Sequence, residues 1–111
     1  MVPSMEQRLS LFRGLADRSR MAILGHLRSG PSRVSDVVHG TGLTQANTSA
    51  HLCCLWECGL VARERKGRDV HYRLVNGVEE LLAAADEVVA VAGQTIGACP
   101  NFGSGRNVSS A

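Results

Sequence analysis

At Gly59 the spacing of apolar residues changes from helical to alternating, and that switch constrains the fold more than any other feature of the chain. Before it, apolar side chains recur every three to four residues: Leu9, Phe12 and Leu15, then Met21, Ile23, Leu24 and Leu27. After it, residues 60–65 and 70–74 alternate on either side of Lys66, Gly67, Arg68 and Asp69, the pattern of one β-hairpin with a basic turn. The expected fold is mainly α with a small β-hairpin.

Capping chemistry divides the helical part. Two helices lie between Ser4 and Ser29, broken near residues 15–17, with Asp17 as the N-cap of the second. Gly30 and Pro31 end it, because proline has no N–H and disfavours helix before it. Ser32 is expected to cap a short helix containing Val34, Val37 and Val38, and Gly40, Thr41 and Gly42 to form a tight turn. Thr44 then caps a longer helix reaching about Glu57, with Gly59 as its left-handed terminator. Short helix, glycine turn and longer helix make a helix-turn-helix. Asn76 is the expected cap of a last helix over 78–96, apolar on more than one face (Leu81, Leu82, Val88, Val89, Val91), which predicts a homodimer joined through the terminal helices. The expected division is a DNA-binding and dimerisation domain over 1–96 and a flexible Gly/Ser/Asn-rich tail over 97–111 that carries Cys99.

Charge is unevenly placed. Residues 1–73 hold 11 basic against 6 acidic groups, and residues 74–111 hold 1 against 4. One part suits a polyanion, therefore, and the other does not. The first ten residues contain no uninterrupted apolar run, which predicts no secretory signal and a cytoplasmic protein. The most apolar stretch, 81–98, carries Asp86, Glu87 and Gln94 at its middle, so no membrane partner is expected. No Gly-rich phosphate loop, CxxC motif or nucleophile-activating set is present, so the chain is not expected to be an enzyme.

The second helix of a helix-turn-helix enters the DNA major groove, where short polar side chains near its start reach base edges and phosphates. Here these are Thr44, Gln45, Asn47, Thr48, Ser49 and His51. Helix geometry groups Thr48 with Leu52 and Leu55 towards the core and turns Gln45, Ser49 and Cys53 outward. Arg63, Arg65, Lys66 and Arg68 on the hairpin suit phosphate or minor-groove contacts on double-stranded DNA.

With these segments in view, the sequence resembles the ArsR/SmtB family of winged-helix repressors. The resemblance spans residues 9–82 and rests on Gly14 through Leu24, on Leu43 through Val61, and on Gly67 through Leu74. It implies a dimeric winged helix-turn-helix protein that represses an operon as the apo form and leaves DNA when an inducer, commonly a metal ion, binds.

Four cysteines bear on the inducer. Cys54 and Cys58 are four residues apart, which puts both thiols on one stripe of the recognition helix and lets them chelate one ion. Family members usually carry apolar residues at these two positions. Cys53 points about 100° away and reads as a bystander or weak fourth donor. A dimer can bring Cys99 to the Cys54 and Cys58 of the other subunit. Three thiolates suit Cd(II) or Pb(II), with Zn(II) possible given a fourth ligand. The arrangement is similar to that of the family's cadmium/lead sensors, in which two thiols of the recognition helix and one of the C-terminal tail bind the ion. The cysteine pair on the preceding helix and the Asp/His/His/Glu set on the last helix, which mark other sensors of the family, are absent from this sequence. Arsenite, which also accepts three thiolates, and thiol oxidation are the alternative signals.

Overall fold

The computed structural model describes residues 1–103. Helix α1 (Met5–Leu15) begins with a reciprocal cap: Gln7 N–H donates to Ser4 Oγ at 3.1 Å, and Ser4 N–H donates to Gln7 Oε1 at 2.8 Å. Helix α2 (Arg18–Leu27) begins as expected, with the Asp17 carboxylate accepting the Arg20 N–H at 2.9 Å. Its Ile23, Leu24 and Leu27 are buried, and α2 packs against α3 (Val34–Thr41), α4 (Gln45–Glu57) and the hairpin strand β2 (Asp69–Leu74). Each such side chain taken fully out of water contributes roughly 1.5–3 kcal/mol, so α2 is the pillar of the N-terminal unit.

Two expected caps are corrected. Ser32 does not cap α3, because its backbone is drawn into a bridge with Tyr72 of β2: Ser32 N–H donates to Tyr72 O at 2.9 Å and Tyr72 N–H to Ser32 O at 2.8 Å. The N-cap is Arg33, whose backbone N–H is taken by the Asp36 carboxylate at 3.2 Å. Asn76 is likewise displaced as the cap of α5 (Val78–Gly97) by Gly77, which has φ 96° and offers no side-chain cap. The turn expected over Gly40, Thr41 and Gly42 shrinks to Gly42 alone, in the left-handed region at φ 77°, since Gly40 and Thr41 still belong to α3. Gly40 has a different role: a Cβ there would run into the His26 ring, so glycine lets α2 and α3 approach closely.

Helix α4 follows its expected course. Thr44 Oγ1 accepts the Asn47 N–H at 3.1 Å, and Gly59 at φ 83° ends the helix. Strands β1 (Val61–Lys66) and β2 pair antiparallel from Val61 opposite Leu74 to Lys66 opposite Asp69, closed by Gly67 at φ 64°. Val61 and Tyr72 face the core, and Arg33 reaches from α3 to the wing, 3.1 Å from Asp36 and 3.8 Å from Asp69.

The chain forms two compact units that part between Asn76 and Gly77. The second unit carries α5, where Val78 and Leu82 are buried while Val88, Val89 and Val91 are exposed. Residues 97–103, at the start of the expected flexible tail, complete α5 and form a turn in which Gly103 N–H donates to Cys99 O at 2.9 Å. The rest of that expectation, 104–111, lies outside the described residues. Among the described residues no helix is long and apolar enough to cross a membrane.

Candidate nucleic-acid and thiol sites

The start of α4 presents Thr44, Gln45, Asn47 and Ser49 exposed, with His51 half-buried. Thr48 leaves the set of candidate DNA contacts: its side chain is fully buried beside Leu52 and Leu55 positions on the core stripe, and its Oγ1 has no hydrogen-bond partner among the described residues. A side chain without solvent exposure cannot reach a base, so the polar face that α4 offers to solvent is narrower than the run of polar residues suggests.

On the wing, Arg65, Lys66 and Arg68 are exposed around the Gly67 turn, where a phosphate backbone can approach them. Arg63 is placed differently. Its guanidinium carbon lies 3.5 Å from the ring centroid of Trp56, the last aromatic residue of α4, so it ties the base of the wing to the recognition helix. Sequence reasoning gave Trp56 no role, although its position between two cysteines and seven residues before an arginine was a readable signal.

The four thiols are free. Cys54 and Cys58 are brought into side-chain hydrogen-bonding contact, as their spacing implies. Burial pushes the Cys58 thiol above its ordinary pKa, and the neighbouring Cys54 and the charge of Glu57 push the same way, against Arg20. That arginine also fastens the end of α1, its Nε donating to Gly14 O at 2.6 Å and an Nη to Arg13 O at 3.3 Å. Cys53 is exposed, off the stripe that the other two share. Beside Cys58 opens a cleft of about 440 Å³ with a mainly apolar wall, lined by Leu11, Gly14 and Leu60 together with Glu6, Gln7 and Ser10.

Cys99 belongs to the second unit. The backbone N–H groups of Asn101 and Phe102 donate towards its sulfur and hold its pKa below the ordinary value, with Gly103 adding to them. Gly103 is required there, because a Cβ would collide with the carbonyl oxygens of Gly97 and Ile96 and come within 2.6 Å of the Cys99 nitrogen. No three His, Cys, Asp or Glu side chains converge as a metal cluster among the described residues of one chain. Two thiols side by side are a sulfur donor pair of the kind that suits a soft ion.

This geometry has known counterparts. A family model described as bacterial regulatory protein, arsR family, matches residues 17–63, which run from the cap of α2 into β1. The transcriptional regulator CmtR of Mycobacterium tuberculosis is 41% identical over 81 residues, covering 73% of this chain and 67% of that protein. A probable mercury resistance operon repressor of Streptomyces lividans is 36% identical over 61 residues, covering 55% of this chain and 49% of its own length. Among solved structures, the homodimeric winged helix-turn-helix DNA-binding domain of Mb0332 from Mycobacterium bovis superposes with a TM-score of 0.71 at 31% identity, covering 81% of this chain and 83% of that one. The winged helix-turn-helix, the matched segment and the identity to CmtR agree: the chain belongs to the ArsR/SmtB family, and it is a DNA-binding transcriptional regulator rather than an enzyme.

Proposed function

We propose that this regulator is a cytoplasmic homodimeric repressor that leaves its operator when a soft metal ion, Cd(II) or Pb(II), is held by the thiolates of Cys54, Cys58 and Cys99. The observation that carries the reading is the contact of the Cys54 and Cys58 thiols on the helix that meets DNA. Residues 1–96 serve DNA binding and dimerisation in this reading, with Thr44, Gln45, Asn47, Ser49 and His51 at the groove and Arg65, Lys66 and Arg68 on phosphates. Zn(II) would need a fourth ligand, and the exposed Cys53 is the nearest in sequence. The exposed valines of α5 and the exposed Met5, Leu9 and Phe12 of α1 support a second copy as the partner of the terminal helices.

Clamping the end of α4 to a tail cysteine changes how that helix meets the groove. A coupling of about 1–3 kcal/mol, ordinary for allostery, lowers operator affinity about 5- to 150-fold, and DNA must weaken metal binding by the same factor. The test is a Cd(II) titration of the reduced protein, following the ultraviolet thiolate-to-metal band, with operator release measured in parallel. Cys54→Ser, Cys58→Ser and Cys99→Ser should each weaken the band and abolish release while apo binding persists. A band and release that survive Cys99→Ser would overturn the three-thiolate site.

A further inference from the structure

The wing is a two-stranded hairpin, and such a ribbon is marginal in water on its own. Its base is fixed at two points. Ser32 and Tyr72 exchange backbone hydrogen bonds of 2.9 and 2.8 Å, and the Arg63 guanidinium lies over Trp56 at 3.5 Å. Lys66 and Arg68, the exposed cations beside the Gly67 turn, stand well beyond both points. Asp69, where β2 begins, is three residues from Tyr72, about 10 Å of strand at about 3.3 Å per residue. A wing held at its base alone would let that turn swing.

The sequence brings Arg33 to this stretch. Because the Ser32 to Tyr72 bridge is antiparallel, the residue after Ser32 runs alongside the residue before Tyr72, in the direction of the turn. Arg33 Nε donates to Asp36 Oδ2 at 3.1 Å and Nη2 to Asp36 Oδ1 at 3.2 Å, a fork that fixes the plane of the guanidinium. The remaining nitrogen, Nη1, lies 3.8 Å from Asp69 Oδ2. All three nitrogens therefore face carboxylates, and the charge is answered within the fold rather than offered to a phosphate. The same Asp36 accepts the Arg33 backbone N–H at 3.2 Å, and the Arg33 side chain holds its carboxyl below the ordinary pKa.

We propose that Arg33 is a positioning residue for DNA binding, a latch that acts through Asp69 to fix the tip of the wing, so that Lys66 and Arg68 meet the phosphate backbone already in place. The Arg33 and Asp69 side chains are 46% and 53% exposed, so their pair adds little to folding stability. Its effect falls on association, where a cation that arrives already placed removes an ordering cost from binding. The inference rests on the reading that the wing meets phosphate, and it is independent of the thiols and their ion.

The experiment turns on the sign of one effect. Asp69→Asn removes a negative charge from beside Lys66 and Arg68, so charge alone predicts tighter binding to a polyanion, whereas loss of the latch predicts weaker binding. Fluorescence anisotropy of the apo protein with DNA selected from a random pool should show Asp69→Asn weaker by about two- to fivefold. Arg33→Lys, which keeps the charge and loses the fork, should weaken binding by a similar factor. Adding it to Asp69→Asn should cost little more, since both substitutions break one connection. The urea unfolding midpoints of both variants should stay in place, and a fall in affinity that only tracks a fall in midpoint overturns the positioning role. In a Lys66→Ala/Arg68→Ala background, itself weaker than the unmutated protein, Asp69→Asn should have no further effect. Unchanged or tighter binding by Asp69→Asn overturns the latch alone. A Lys66→Ala/Arg68→Ala variant that binds as tightly as the unmutated protein removes the wing reading and the latch with it.

Discussion

Cys58 and Cys99 are built on opposite plans. The first stands at the end of a helix whose other stripe is the core, and burial and a neighbouring thiol push its pKa up. The second stands in a turn where backbone N–H groups converge on its sulfur and pull its pKa down. The difference separates two requirements of a thiolate ligand, being in the right place and being ionised. Helix α4 supplies position and makes ionisation harder, while the 99–103 turn eases ionisation and depends on a short stretch of backbone for its shape.

The strongest way to break the helix-borne half is to remove its support. Leu52 is fully buried directly on the core stripe of α4, so Leu52→Ala should cost about 2–5 kcal/mol of unfolding free energy, read by urea denaturation of the reduced protein. A cost under about 1 kcal/mol would mean that α4 is not anchored by this stripe.

The turn-borne half should yield to one methyl group. Gly103→Ala cannot keep its close approach to the carbonyls of Gly97 and Ile96, so the turn must open and its N–H groups leave the sulfur. Because the thiolate is the nucleophile, alkylation of Cys99 near neutral pH should slow several-fold, with Cys54 and Cys58 unaffected. Site-resolved iodoacetamide kinetics measure all three at once. An unchanged rate at Cys99 would show that those N–H groups do not set its reactivity.

The device that favours the Cys99 anion also operates in the DNA-binding unit, at Asp17. The Arg20 N–H is the largest cause holding that carboxyl below its ordinary pKa, with the Arg20 charge and His51 adding to it. A group lowered on folding stabilises the fold above its unfolded pKa, and that stabilisation is lost as pH falls through the folded value. Asp17→Asn keeps a capping oxygen but cannot titrate. The stability advantage of the unmutated protein over this variant should therefore shrink as pH drops from about 6 to about 3. A difference independent of pH would leave Asp17 with a capping role alone.

What could be read from the sequence was local. Asp17, Thr44 and Gly59 act where a side chain or a left-handed glycine meets the backbone within a few residues, and each was placed from spacing. The contact of Cys54 with Cys58 follows from one turn of helix in the same way. The misplaced residues answer to distant partners. Ser32 would have capped α3 had Tyr72, forty residues on, not claimed its backbone. Thr48 carries the right atoms for DNA, and only the packing of α4 hides them. Gly103 looked like part of a loose tail, and only the end of α5 folded against it reveals why glycine is needed.

The smallest expected effect lies where the dithiol meets the wing. Trp56 sits between Cys54 and Cys58 in sequence and holds Arg63 of β1 at 3.5 Å, a direct contact between the end of α4 and the hairpin. Trp56 is 38% exposed, and a cation–π pair at such a site contributes about 0.5–1 kcal/mol. Trp56→Leu should accordingly weaken apo binding to DNA selected from a random pool about two- to fivefold by fluorescence anisotropy. Trp56→Phe, which keeps a ring face, should recover part of it. If the pair also carries the signal, the ratio of apo to Cd(II)-loaded affinity falls in Trp56→Leu while the thiolate-to-metal band stays intact, because the thiols are untouched and only their connection to the wing is cut. Gly103→Ala, which alters a turn in the other unit and leaves Trp56 and Arg63 untouched, should in the proposed sensor change metal affinity without changing apo DNA binding.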